Sequence, residues 1–445
     1  MKQNKRLSEA SETLYDYVEK SHKKADLYTE SRNIVSCFVM APVMYEYVKW
    51  VLQEAVKTKK QTLYFLARDG YSMYQVAKRI CAKNSLHIKC RYLYCSRYAL
   101  RSAQYLLMGD ESLDYICLGG IDVTFDKLMY RAGLYPEEID MIARICNYAK
   151  RRQVPLSRYE LGKIKMQLRE CSEFMELVER HAKEHYPAVC AYLRQEGLLE
   201  SDSYAIVDSG WTGSMQKSIQ QLIFSMGYRI SMEGYYFGLY KYPKVMDPKR
   251  YHCYYFEPDK GIRRKAHFSN SLFECIYSAP DGMTLEYGRN NSCYVPIFEK
   301  QENPNKKEIM VSTDRLCAYA DIMLNRFPDD METSEKERGI LAEKLFHKFM
   351  GHPTVDEAKL YGNYIFCDDV RGEEHQTVAA KLNYREIKEN RLLHKGMNLL
   401  LKKETAVRES AWMEGSIVLA EKPGRRSLFA CTAYKYILYM RQRMK

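Results

Sequence analysis

The sequence predicts an α/β protein built on a parallel sheet, with a helical insertion and a mainly helical C-terminal region. Three observations predict it. Short apolar runs at 62–67, 87–95, 203–207 and 232–240 alternate with segments of helical period, the rhythm of βαβ units. Two of these runs end in compact polar turns, Ala67-Arg68-Asp69-Gly70 and Asp208-Ser209-Gly210-Trp211-Thr212-Gly213-Ser214. Residues 109–200 interrupt the alternation with charged segments of helical period.

Residues 1–30 read as a solvated, charged helix, and 33–58 carry apolar positions at helical spacing that should pack on the sheet. Together 1–58 are expected to form N-terminal helices lying on the core. The core spans 59–300: strand 62–67, helix 71–82, strand 87–95, and SRYALRSAQYL turning helical. The insertion at about 109–200 includes ELGKIKMQLRECSEFMELVERHAKEHY and YPAVCAYLRQEGLL, both helical in pattern. The sheet resumes with strand 203–207, a helix at 213–226 and strand 232–240, and YHCYYFEP reads as an antiparallel edge strand. QENPNKKE marks a polar linker, and 301–445 is chiefly helical with one strand candidate at YGNYIFCDDV.

Hydrophobic residues at 46% and charged residues at 28% exclude a disordered chain. A formal charge of +12 favours anionic partners. No nucleic-acid module is evident, so specific nucleic-acid binding is not expected. The 14 cysteines contain no C-x-x-C pair and read as free, mostly buried thiols of a reducing cytoplasm. The charged N-terminus lacks the apolar core of a signal peptide, and no apolar run approaches the roughly 20 residues needed to cross a bilayer. The expected location is cytoplasmic, at most peripheral at the inner face of a membrane. There the tail from Gly424, with six Lys/Arg among aromatic residues, could touch anionic lipid.

The two turns carry the chemistry. A helix start offers unpaired N–H groups and partial positive charge, so phosphate settles there, and glycine permits close approach. Arg68 and Arg97 are the candidate charge partners of a phosphate. Gly70, Ser209, Gly210, Thr212, Gly213 and Ser214 are the candidate cradle. Asp69 and Asp208 are the candidate catalytic carboxylates, able to orient hydroxyls or hold Mg²⁺; no organic cofactor is expected. The competing reading is that each turn is only a turn, with Asp as an N-cap.

The layout resembles the phosphoribosyltransferase-like fold, so the core is expected to be Rossmann-like or phosphoribosyltransferase-like. Ala67 to Gly70 match that family's pyrophosphate loop. Val207, Asp208, Thr212, Gly213 and Ser214 approximate its ribose-phosphate loop, with Ser209 where the family has a second acid. A longer resemblance covers most of 35–290. FLARDGY, YLYCSR, IVDSGWTGSMQ, FECIYSAPDGMTLEY and the later WMEGS look like an uncharacterised bacterial group from surface-polysaccharide gene clusters. In that group the region often follows a haloacid-dehalogenase-like (HAD-like) phosphatase domain. That group is labelled a predicted hydrolase. The two phosphate-type turns taken with these resemblances lead to the expectation of group transfer on a phosphorylated or nucleotide-activated sugar in surface-polysaccharide assembly, with a HAD-like protein or a glycosyltransferase as partner.

Three alternatives stay open: a HAD-type phosphohydrolase, a glycosyltransferase, or a non-catalytic partner of a polysaccharide enzyme. The first needs a strand ending in D-x-D. Asp69 stands without a second acid, although Asp368 and Asp369 are similar to that fold's late acidic motif.

Weaker signals are His181 and His185, four apart on a helix, and His267 and Glu274, flanking a segment that ends in a Ser-Ala-Pro-Asp-Gly turn able to close over a ligand. Cys95, beside Arg97, is either a lowered-pKa thiol or an ordinary buried cysteine.

Overall fold

The computed structural model describes residues 2–443 except 22–26, 121, 301, 329–333, 367–375, 392–393, 395–400, 402–406 and 422–424. Its centre is a five-stranded, all-parallel sheet. The strands are β1 (Thr62–Leu66), β2 (Lys89–Leu93), β3 (Tyr204–Trp211), β4 (Glu233–Leu239) and β5 (Tyr251–Phe256), in the order β2-β1-β3-β4-β5. From β1 the chain steps to one side to make β2, then returns to the other side to make β3. Open parallel sheets bind ligands at such a reversal, outside the carboxyl ends of the strands.

Both faces of the sheet are covered, so its central strands send side chains alternately into two cores. In β1, Leu63 and Phe65 enter one core while Tyr64 and Leu66 enter the other. In β3, Ala205 and Val207 oppose Tyr204 and Ile206 in the same way. The first core is covered by α1 (Lys2–Ser21), α2 (Leu27–Val35), a π-turn at Ser36–Met40, α3 (Ala41–Lys57) and α4 (Gly70–Lys83). The chain then forms α5 (Arg97–Met108), α6 (Ser112–Ile116), α7 (Phe125–Arg131), α8 (Pro136–Ile145), α9 (Arg158–Glu170) and α10 (Ser172–Gln195) before β3. The second core takes side chains from α5, from the end of α10 and from α11 (Ser214–Ser225). The insertion has its own core, from Tyr105 to Ala182, and so stands as a packed lobe.

After β5 come α12 (Ile262–Ala266), α13 (Asn270–Ile276) and a hairpin of β6 (Thr284–Asn290) and β7 (Cys293–Phe298). Tyr287 of the hairpin stacks on Tyr192 at 4.2 Å and donates to the Tyr94 carbonyl at 2.8 Å. The C-terminal region contributes α14 (Lys306–Arg326), α15 (Ile340–Phe349), α16 (Val355–Gly362), a two-residue strand β8 (Ile365–Phe366) and α17 (Tyr384–Glu389). The first core runs from Leu7 to Trp412, so the three sequence regions share one interior.

Several expectations are corrected. β5 is an edge strand but runs parallel to β4, because residues 240–250 carry the chain back along the sheet before it pairs. β3 continues to Trp211 instead of ending at 207. The insertion's long helix runs through Pro187, while the break falls at Cys171, between α9 and α10. α1 is solvated on one side only: Leu7, Ala10, Leu14 and Val18 are buried, and α1 packs on α14. Thr29–Lys57 forms a 29-residue helical run apolar enough to cross a bilayer by length and composition; 83% of its most apolar window is buried, which makes it a core helix of this fold. The described cysteines are free and mostly buried.

The basic tail forms a helix, Arg425–Arg443, docked on α12 and on the helix Met413–Leu419. Lys435 pairs with buried Glu414 at 2.6 Å, and Tyr439 stacks on Tyr240 at 5.4 Å. Phe429, Ile437 and Met440 of that helix stay exposed.

Candidate functional site

At the reversal between β1 and β3 lies a cavity of about 470 Å³. The tip of β1 supplies Ala67, Arg68 and Asp69. The tip of β2 supplies Cys95, Ser96 and Arg97, and β3 supplies Asp208, Ser209 and Gly210. The insertion adds Tyr115 and Arg131 to the wall, α13 adds Glu274, and the C-terminal region adds Asn305 and Ile365.

Asp69 and Asp208 face one cavity because β1 and β3 are neighbouring parallel strands in register from Thr62 with Tyr204. The Ser209 hydroxyl donates to Asp69 Oδ2. Tyr47 of α3 donates to the backbone carbonyls of Asp208 at 2.9 Å and Tyr235 at 3.0 Å, bracing β3 and β4 from below. The Asp69 carboxyl is pushed up to about 7, first by burial and then by the Asp208 charge, while the Ser209 hydroxyl, Arg68 and Arg97 pull the other way. Asp208 is likewise pushed up to about 7 by burial, against the pull of Arg97 and the Ser209 amide, with Glu274 adding to the rise. Two carboxyls that disfavour each other's charge titrate as a pair, so near neutrality the pair retains a proton.

The cations differ in how well they are matched. Arg97 lies 3.9 Å from Glu274, which also accepts from Trp211 Nε1 at 2.5 Å. Arg101, one helical turn beyond Arg97, donates to Ser214 Oγ at 3.1 Å and lies over the Tyr115 ring at 4.2 Å. Burial, then the Arg97 charge, brings its pKa down to about 10, and its Nε is buried without a hydrogen-bond partner. Among the described residues neither Arg68 nor Arg101 forms a close ion pair, although the Arg68 charge is felt by Asp69. Arg101 was missed in the sequence although a signal existed: RYALR puts two arginines four apart, on one face of a helix leaving a strand tip.

Of the predicted site residues, Arg68, Asp69, Arg97, Asp208, Ser209, Gly210, Thr212 and Ser214 line the cavity, while Gly70 and Gly213 do not. Those two glycines answer to packing. A Cβ on Gly70 would lie 2.9 Å from the Phe65 carbonyl carbon, and one on Gly213 would lie 2.7 Å from the Tyr251 ring. Part of the stretch from Gly210 to Ser214, whose amides are expected to cradle phosphate, is already committed to hydrogen bonds within the sheet. Gly210 and Trp211 pair with Gly238 and Leu239, and the Thr212 amide donates to the Gly210 carbonyl at 3.0 Å, so the segment extends the sheet. Trp211 has φ +68, an uncommon conformation for a bulky residue, held by its bond to Glu274 and by packing against Phe268 and Phe273.

The weaker signals resolve separately. His181 bonds Glu138 at 2.8 Å, and His185 lies 3.7 Å from Glu286, so the two serve different carboxylates. Burial pushes the Cys95 thiol up, which removes the reactive-thiolate reading. Glu274 lines the cleft, as do Ser278 and Gly282 of the segment after it, whereas His267 lies apart with His347 and His352. Asp368 and Asp369 lie outside the described residues.

Fold and site together define a class: an α/β protein whose parallel-sheet reversal carries a carboxylate pair ringed by arginines. No family model matches the chain, and no curated protein matches it.

Proposed function

We propose that this cleft binds a phosphorylated or nucleotide-activated sugar and promotes group transfer at its phosphate. The observation that carries the reading is that Arg68 and Arg101, two arginines in no close ion pair among the described residues, line the same cavity as Asp69 and Asp208. Arginine is suited to phosphate because its planar guanidinium offers paired donors. On this reading Arg68, Arg97 and Arg101 neutralise the phosphate, and Ser214 with Thr212 offers hydroxyls beside it. Asp69 or Asp208, poised near neutral pH, takes the proton of the attacking hydroxyl.

Two half-buried carboxyls in one cleft, with the Ser209 hydroxyl beside them, also fit an oxygen-seeking divalent cation. Asp69 and Asp208 would hold Mg²⁺, which supplies charge neutralisation for a phosphate when bound. The sugar and the surface-polysaccharide setting rest on the resemblance of FLARDGY, IVDSGWTGSMQ and WMEGS, as does a HAD-like or glycosyltransferase partner. The phosphoribosyltransferase-like assignment rests on the two turns alone. A cytoplasmic setting fits the free thiols.

Hydrolysis is a second reading, favoured by one observation: Asp69 stands at the tip of β1 with Asp208 on the neighbouring strand, as a carboxylate nucleophile and its acid would. A thermal-shift panel of phosphoribosyl pyrophosphate, sugar phosphates and nucleotide sugars, with and without Mg²⁺, tests the site. Wild type should shift with at least one of them, and Arg68→Ala and Asp208→Ala should lose that shift. Phosphate release without acceptor, abolished in Asp69→Asn, would select hydrolysis; turnover only with an acceptor selects transfer. A wild-type protein that no phosphate ligand shifts ends the reading and leaves a scaffold role.

A further inference from the structure

His267, His347 and His352 come from two distant stretches of chain: His267 from the turn after α12, and His347 and His352, five residues apart, from the last turn of α15 and the turn that follows it. One ligand nitrogen from each lies within 4.8 Å of the other two. Their ring centroids are 4.2, 4.7 and 5.3 Å apart.

Ring stacking alone does not account for the arrangement. His267 is only 7% exposed, yet its Nδ1 has no hydrogen-bond partner. A buried imidazole nitrogen left unmatched calls for a ligand. Gly351 makes the convergence possible: a Cβ there would lie 2.7 Å from His267 Nδ1 and 2.8 Å from the His347 carbonyl oxygen. His352 Nδ1 sits 3.0 Å from that carbonyl. A carbonyl only accepts, so Nδ1 carries the hydrogen and Nε2 keeps its lone pair. Such backing is how metal-binding imidazoles are oriented. The nearby cations are already engaged, Lys435 by Glu414 at 2.6 Å and Arg263 by Glu343 at 3.5 Å.

We propose that His267, His347 and His352 bind one transition-metal ion of the zinc class, pinning α15 and the turn after it to the segment that leads into α13. Nitrogens bound tetrahedrally at about 2.0–2.1 Å stand about 3.3 Å apart, so the imidazoles need close by about 1.5 Å at most. His352 is exposed, which leaves the fourth position to water. Because α13 carries Glu274, the ion would steady one wall of the cleft; the site is independent of what the cleft binds.

The test uses the full chain stripped by a chelator, then titrated with Zn²⁺ against a chromophoric indicator and separately with Co²⁺. Wild type should bind one equivalent and melt at a higher temperature with Zn²⁺. His347→Ala and His352→Ala should each weaken binding at least tenfold, with the circular dichroism spectrum unchanged, while exposed His87→Ala should not. Co²⁺ should give visible bands without thiolate charge transfer. Binding that is equal in all four proteins, no binding at micromolar Zn²⁺, or a thiolate band showing capture by cysteine each overturns the proposal.

Discussion

Replacing Asp208 with asparagine keeps the shape of the side chain and removes its titration. In the folded protein this carboxyl is held up at about 7, chiefly by burial, while an unfolded aspartate titrates near 3.9. Between those values the folded state holds a proton that the unfolded chain has lost, so stability falls as pH rises from about 4 to about 7. Counted in full at about 1.4 kcal/mol per pH unit, the loss above pH 7 is roughly 4 kcal/mol. The carboxyl reaches water through the cleft and titrates jointly with Asp69, which trims the measurable effect to about 1–3 kcal/mol. Asp208→Asn should therefore be more stable than wild type at pH 8 by about that amount, with the gap closing toward pH 4.5. Urea unfolding of both proteins across pH 4.5–8, without divalent ions, measures it. A variant less stable than wild type at pH 8, or a gap that does not change with pH, would refute the burial argument. The same variant should lose the ligand-induced thermal shift, the pattern expected where a site holds destabilising charge for the sake of function.

Three further outcomes follow from the geometry. Arg101→Met should weaken binding of a phosphate ligand at least tenfold by calorimetry with little loss of stability, since Arg101 is in no close ion pair among the described residues and has a buried unmatched Nε; unchanged affinity would remove Arg101 from the site. Gly210→Ala should destabilise by about 1–3 kcal/mol or more in urea unfolding, because φ is +111 and a Cβ would lie 2.6 Å from the Gly238 carbonyl oxygen. Trp412→Ala should cost about 3–5 kcal/mol by the same assay, since the indole is fully buried and donates to the Met350 carbonyl at 2.8 Å; a loss under about 1 kcal/mol would mean that residues after 400 are not part of the core.

The legible parts of the sequence were those set by local pattern. The apolar run 62–67 and the helical period of 71–82 appear as β1 and α4 within a residue or two, because burial on both faces forces a strand to be apolar throughout. Asp69, Asp208 and Arg97 were legible as cavity residues because each stands at the carboxyl end of a strand, where a parallel sheet gathers its loops. The packing of the glycines was not legible: Gly70 and Gly213 read as phosphate contacts, and the structure adds their close approach to Phe65, on the strand just before, and to Tyr251, some forty positions away. The direction of β5 was misread for a similar reason: YHCYYF fits an edge strand of either sense, and only the path of 240–250 decides between them.

Taken alone, the sequence determined the α/β alternation, the inserted helical lobe and the placing of charged residues at strand tips, since strand and helix periods and tip positions are properties of short segments. Tertiary structure alone decided the order β2-β1-β3-β4-β5, the meeting of Arg101 with the two aspartates, and the convergence of His267 with His347 and His352. These depend on which distant side chains share a buried space. A linear pattern does not encode that, because the same amphipathic helix can cover either face of a sheet.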